Sequence, residues 1–108
     1  MKVANAEILA GICGFRTSVR AEGDDDFAVR LEVSSDCEKV RGLAAELRTV
    51  SALDELGGGH EGVILGAGRR HLKGCCAACV VPAGIFKAMQ VAAGVALPAD
   101  VGIELLLD

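Results

Sequence analysis

The chain has 108 residues, a formal net charge of −4 and 52% hydrophobic residues, with five cysteines and neither tryptophan nor tyrosine. That length predicts a single domain, residues 1–108, whose core needs no disulfides. A net negative charge without a basic patch interleaved with aromatics argues against a nucleic-acid surface. No apolar run reaches the roughly 18 residues of a membrane span.

Mean hydropathy is +0.44, and alanine supplies much of it. The N-terminal stretch Met1–Ile12 has one lysine, and its apolar run is interrupted by Glu7 and too short for a secretory signal. The cytoplasm is therefore the expected location. In a reducing compartment an odd set of cysteines reads as metal-binding or redox rather than as a disulfide framework.

Residues 4–12 predict a weak strand, broken by Cys13-Gly14. Phe15, Thr17, Val19 and Ala21 then alternate with Arg16, Ser18, Arg20 and Glu22. Phe27, Val29, Leu31 and Val33 continue the pattern against Arg30, Glu32 and Ser34. This alternation predicts a hairpin with one buried and one wet face. A turn over Gly23–Asp26, centred near Asp24, would set Phe15 opposite Val33 and Cys13 opposite Ser35. Cys37 would then lie diagonal to Cys13, about 7–8 Å away, on the same core-facing parity. The three aspartates read as a solvated turn.

Ser35-Asp36 predict the N-cap of a helix over residues 37–53, with Val40, Ala44, Leu47 and Val50 as its apolar stripe. Cys37 falls in its first turn. Residues 54–74 predict the loosest part of the chain. Gly57–Gly59 end the helix, and Val63–Leu65 give a brief strand or helical turn. Gly66 and Gly68 precede Arg69-Arg70-His71 without the lysine–threonine pair of a phosphate-binding loop, so the segment reads as a mobile loop with a solvated basic edge.

A second helix is predicted over 81–93, with Pro82 in its first turn and Ile85, Phe86 and Met89 on its apolar side. Gly94 supplies the C-cap, and Pro98 prevents continuation. Val101, Ile103, Leu105 and Leu107 alternate as a last strand that either joins the sheet edge or pairs with another subunit. The order β-β-β-α-α-β predicts an α+β fold, an antiparallel sheet of three to four strands with two helices on one face.

The chemistry concentrates in the cysteines. Cys75, Cys76 and Cys79 fall within five positions leading into the second helix. Free N–H groups and the positive end of the macrodipole there favour thiolate. If both helices begin at the Cys13 end of the sheet, one corner collects Cys13, Cys37, Cys75, Cys76 and Cys79. Soft thiolates select zinc or an iron–sulfur cluster, and Cys76-x-x-Cys79 has a usual ligand spacing. Adjacent Cys75 and Cys76 cannot easily both face one metal, so one of them is a spare, exchange or intersubunit thiol. His60 and His71 are substitute ligands by type, but their polar surroundings read as solvated. There is no Ser-His-Asp set, no distinctive pair of catalytic carboxylates and no dinucleotide fingerprint.

Cys13-Gly14 before a hairpin, Cys37 at the start of a helix and Cys75/Cys76/Cys79 followed by Phe86-Lys87-Ala88 form a layout that resembles the NifU/IscU-type iron–sulfur cluster assembly scaffolds. The likeness spans roughly residues 5–90. It implies Cys13, Cys37 and one of the last three cysteines as ligands. The chain departs from that family in its extra cysteines, in an added C-terminal strand and at three further places. Phe15 stands where the family has an acid, no histidine directly precedes the third cysteine position, and the Leu-Pro-Pro-Val-Lys motif is absent. The pattern CGF…DC…CCxxCxVP is also similar to that of small uncharacterised prokaryotic proteins, a likeness that supplies no function.

Three functions therefore compete. The first is a non-catalytic, cysteine-rich metal or iron–sulfur protein with a scaffold or carrier role, served by an iron–sulfur or thiol-transfer partner protein. The second is a thiol–disulfide redox protein using Cys76 and Cys79. The third is a structural module whose exposed last strand favours a homodimer.

Overall fold

The computed structural model describes all 108 residues. Strands β1 (Lys2–Leu9), β2 (Arg16–Gly23), β3 (Ala28–Ser35) and β4 (Thr49–Ser51) form one antiparallel sheet in sequential order. Helices α1 (Glu38–Ala44), α2 (Ala52–Gly58), α3 (Val63–His71) and α4 (Val81–Ala92) complete an α+β fold. Short 3-10 turns at Gly59–Glu61 and Gly74–Cys76 precede α3 and α4. The observed order is β-β-β-α-β-α-α-α, in place of β-β-β-α-α-β.

The alternation in the hairpin is realised. Thr17, Val19, Ala21, Val29 and Leu31 are buried on the helix side, while Arg16, Arg20, Arg30 and Glu32 are exposed. Its register differs from the expected one by four residues. Val19, not Phe15, lies opposite Val33, and Thr17 lies opposite Ser35. The cause is the turn. The Asp24 carboxylate accepts from the backbone N–H of Asp26 at 2.8 Å and of Ala28 at 3.0 Å. Phe27 takes a left-handed φ of 62°. The reversal is thus centred at Asp26 rather than Asp24. An even shift preserves which face each side chain occupies, so the core residues survive the error.

The first strand starts earlier than expected and ends at Leu9. The helix expected over 37–53 is two helices with a strand between them. The β-branched pair Thr49-Val50 pairs with β3, setting Val50 opposite Val29. Ser51 then caps α2 by accepting from Asp54 N–H. Val40, Leu47 and Val50 are nonetheless buried, because each break in the helix leaves the apolar positions facing inward.

Residues 54–74 are helical rather than loose. Glu55 is only 2% exposed. Its carboxylate accepts from the N–H groups of Val63 at 3.1 Å and Ile64 at 2.8 Å. A carboxylate thus satisfies two donors that the first turn of α3 leaves free. Arg69 donates to the His60 carbonyl, and Arg70 and His71 both bond Glu46, so the supposed solvated basic edge is tied to neighbouring loops.

Helix α4 lies across β1 and β2 with Val81, Ile85, Ala88, Met89 and Ala92 buried. The segment Gly74–Ala92 is apolar enough, at a mean hydropathy of 1.6, to match a membrane span by composition. Its apolar side is instead the lid of the sheet. The helix sits close. A Cβ on Gly84 would come within 2.4 Å of Ile8 Cδ1, and one on Gly23 within 2.1 Å of the Ala92 carbonyl oxygen. These two approaches fix the direction of α4. Gly84 lies over the end of the sheet where β1 finishes, and Ala92 over the end where β1 begins. The N-terminus of α4 therefore faces the β1–β2 loop.

The last strand does not form in this chain. Residues 95–108 leave α4 without regular structure, and Val101, Ile103, Leu105 and Leu107 are exposed.

Candidate cysteine site

Three segments reach the corner where β1 ends and β2 begins. The first is the β1–β2 loop, closed by Gly14 N–H on the Gly11 carbonyl at 2.9 Å. Gly11 and Gly14 have φ of +97° and +73°, a backbone that glycine adopts freely, and Cys13 is exposed at the tip. The second is the end of β3. Extending the β2–β3 register sets Cys37 opposite Phe15, two residues from Cys13. The third is the approach to α4, which carries Cys76 and Cys79.

Cys37 is itself the N-cap of α1, in place of the expected Ser35-Asp36. Its carbonyl accepts from Arg41 N–H at 2.9 Å. Ser35 has another task. Its hydroxyl accepts from Cys37 N–H at 3.1 Å and shares a 2.7 Å hydrogen bond with the buried Thr17 hydroxyl. Cys37 is thereby tied to β2 through two hydroxyls.

Cys37, Cys76 and Cys79 are half-buried and pack against the core, whereas Cys13 and Cys75 are exposed. All five are free thiols. Burial pushes the Cys79 thiol above its ordinary value. The Val81 N–H at the start of α4 pulls the other way, and negative charge on Cys37, Cys13 and Cys76 adds to the rise. Two consequences follow. Sulfurs from three separate parts of the chain lie within electrostatic range of one another. The expected preference for thiolate near the α4 N-terminus is reversed at Cys79, because desolvation outweighs a single N–H donor.

Of the adjacent pair, Cys76 turns inward and Cys75 outward. Lys39 extends from the first turn of α1 and donates to the Cys76 sulfur at 3.5 Å. Sequence reasoning passed over Lys39. A usable signal was present, since a cation in the first turn opposes the helix dipole and so needs a local partner. His71 is engaged with Glu46, which lies beyond the far end of α1 from Cys37.

The sulfurs share a corner without converging. No group of three or more His, Cys, Asp or Glu side chains is arranged around a common metal position. The donor chemistry suits a soft metal. Two surface depressions lie away from this corner, one bordered by Arg30, Ala44, Leu47 and Thr49, another on the open sheet face between Asn5, Glu7, Ser18 and Arg20.

Fold and site together define a small α+β protein with a thiol-rich corner at one end of an antiparallel sheet. The chain belongs to DUF6951, a family of unknown function whose model matches residues 4–105. No curated protein and no solved structure matches it.

Proposed function

We propose that this is a non-catalytic thiolate protein that binds zinc or an iron–sulfur cluster, acting as a scaffold or carrier in the reducing cytoplasm. One observation supports the reading: cysteines from three distant segments, Cys13, Cys37 and the Cys76–Cys79 turn, come to one corner of the sheet. Like charges gathered in a half-buried corner raise the free energy of the empty, deprotonated site. A cation removes that repulsion, which is the usual reason for assembling thiolates. Cys13, Cys37, Cys76 and Cys79 would hold the group, drawn inward from the positions they occupy. When bound, the group would supply either a structural tie or a transferable cluster. Lys39 would offset the excess negative charge of a thiolate set, and the Val81 N–H would donate to the Cys79 sulfur. Cys75, pointing outward, remains free for exchange with a thiol-transfer partner protein.

The likeness in layout to the NifU/IscU scaffolds agrees with this reading through Cys13, Cys37 and the cysteines before α4. A second reading draws on the Lys39–Cys76 contact, in which Cys76 and Cys79 form a reversible redox pair.

The test is anaerobic purification of the full chain, with zinc and iron determined by elemental analysis and visible absorption recorded. The expected result is about one metal centre per chain, lost in Cys37→Ser and Cys79→Ser and kept in Cys75→Ser. A metal-free protein that takes up neither metal, with the serine variants indistinguishable from it, overturns the proposal. If that protein also forms a Cys76–Cys79 disulfide at cytosolic potentials, the redox reading takes its place.

A further inference from the structure

We infer that the C-terminal segment, residues 101–108, is a strand for the free β1 edge of a second copy of this chain, giving a reciprocal, strand-exchanged homodimer. The inference is independent of the cysteine site. It rests on two unsatisfied features of the same molecule that fit each other.

The first is the segment itself. Val101, Ile103, Leu105 and Leu107 alternate with Gly102, Glu104 and Asp108, broken only by Leu106. This is the period of a strand with one apolar face. All four residues of the row are at least 66% exposed. The DUF6951 match runs to residue 105, so most of the segment lies within the family's own domain.

The second is the sheet edge. The order β1-β2-β3-β4 leaves only β1 and β4 at the margins. β4 has three residues and β1 has eight, the same number as 101–108. β1 pairs with β2 without interruption from Lys2 to Leu9, and its outward-facing backbone groups form no ladder with any other strand. It has no proline or bulge, and Lys2 at its start is the only lysine. It lacks most of the devices that blunt an exposed edge.

The geometry favours another copy over the chain's own edge. Helix α4 delivers Gly94 beside Lys2, where a Cβ would sit 2.7 Å from Nζ. Beyond it residues 97–108 are exposed, and the molecule measures 46 Å along its long axis against 26 and 24 Å across. A partner bearing an identical edge and an identical strand satisfies both features twice under one twofold axis. Turned toward the α4 side, the row Val101, Ile103, Leu105 and Leu107 continues the inward row Ala4, Ala6 and Ile8. Glu104 then falls on the open, polar face of the sheet.

The test combines sedimentation equilibrium with amide hydrogen exchange on the full chain and on two variants, Leu105→Pro and Ile103→Glu. Proline removes a ladder donor, and glutamate puts a charge in the apolar row. The expected result is a dimer with slow exchange in β1 and in residues 101–107. Each variant should shift the chain to monomer and speed exchange there at least about tenfold. Protection in β2 and β3 should persist, showing that the fold survives, and metal content should not change. Three outcomes overturn the inference. These are a monomer whose segment exchanges freely, a monomer whose segment is protected on its own edge, and a dimer that neither variant disturbs.

Discussion

Cys79 carries two opposing influences that can be separated by pH. Its thiol is held above the ordinary value of 9.0, first by burial. The fold therefore favours the protonated form. The sign follows: the stability this provides is complete below the ordinary value and is lost as pH rises through it toward the higher folded value. Thermal melts of the metal-free protein should show a fall in Tm above pH 9 that Cys79→Ala flattens. Metal binding has the opposite slope. Each coordinated thiol must release a proton, so affinity should drop by up to about tenfold per pH unit per thiol on acidification. Chelator competition at several pH values measures it, and a pH-independent affinity would remove the cysteines as ligands. Glu46 shows a second sign. Hydrogen bonds from Arg70 and then His71 hold its carboxyl below 4.5. Its contribution is present above that value and is lost as pH falls through the lower folded one. The group lies at the surface, and salt should weaken the effect.

At the scale of elements, a few contacts decide where helices begin and how closely they lie. Glu55→Ala removes both acceptors from the α3 N-terminus and leaves the buried Ile64 N–H and the part-buried Val63 N–H without this partner. A loss of about 2–3 kcal/mol is expected from urea unfolding, with Glu55→Gln costing less because its amide oxygen can still accept. Gly23→Ala drives a Cβ into the α4 backbone at Ala92, where nothing flexible can yield. It should cost about 3 kcal/mol or more. Gly57 faces open space within α2. Gly57→Ala should stabilise by about 0.5–1 kcal/mol, and equal effects at the two glycines would contradict the close approach of α4 to the sheet. Alternation made the hairpin legible, and Pro82 with Ile85 and Met89 made α4 legible. The break between α1 and α2 was not legible. The stripe Val40, Ala44, Leu47, Val50 is equally consistent with one long helix, and only pairing with β3 pulls Thr49–Ser51 into a strand. Glycine-rich sequence hid α3, because its cap comes from Glu55, eight residues earlier, and is invisible to local rules.

At the scale of the molecule, the cysteines sit on segments that are far apart in the chain. A metal centre joining Cys13, Cys37 and the Cys76–Cys79 turn would bind the folded chain more tightly than the unfolded one, which keeps only the local cysteines together. Loading should therefore raise Tm, and a chelator should return it to the metal-free value, with ligand at a hundredfold over Kd contributing about 2.7 kcal/mol. A Tm unmoved by zinc or by chelator would point to cysteines that serve only as small core hydrophobes. The C-terminal segment belongs to the same scale, since its apolar row is exposed on its own chain and the proposed dimer would cover it.

Side-chain periodicity, read along the chain, determined the α+β class, the inward face of the hairpin and the position of α4. These are local properties, fixed by a two-residue or 3.6-residue repeat. Tertiary structure decided the rest: the centre of the β2–β3 turn, the division of 37–53, the inward turn of Cys76 against the outward turn of Cys75, and the upward shift at Cys79. Each of these depends on a neighbour distant in sequence or on removal from water, and no repeat in the chain encodes either.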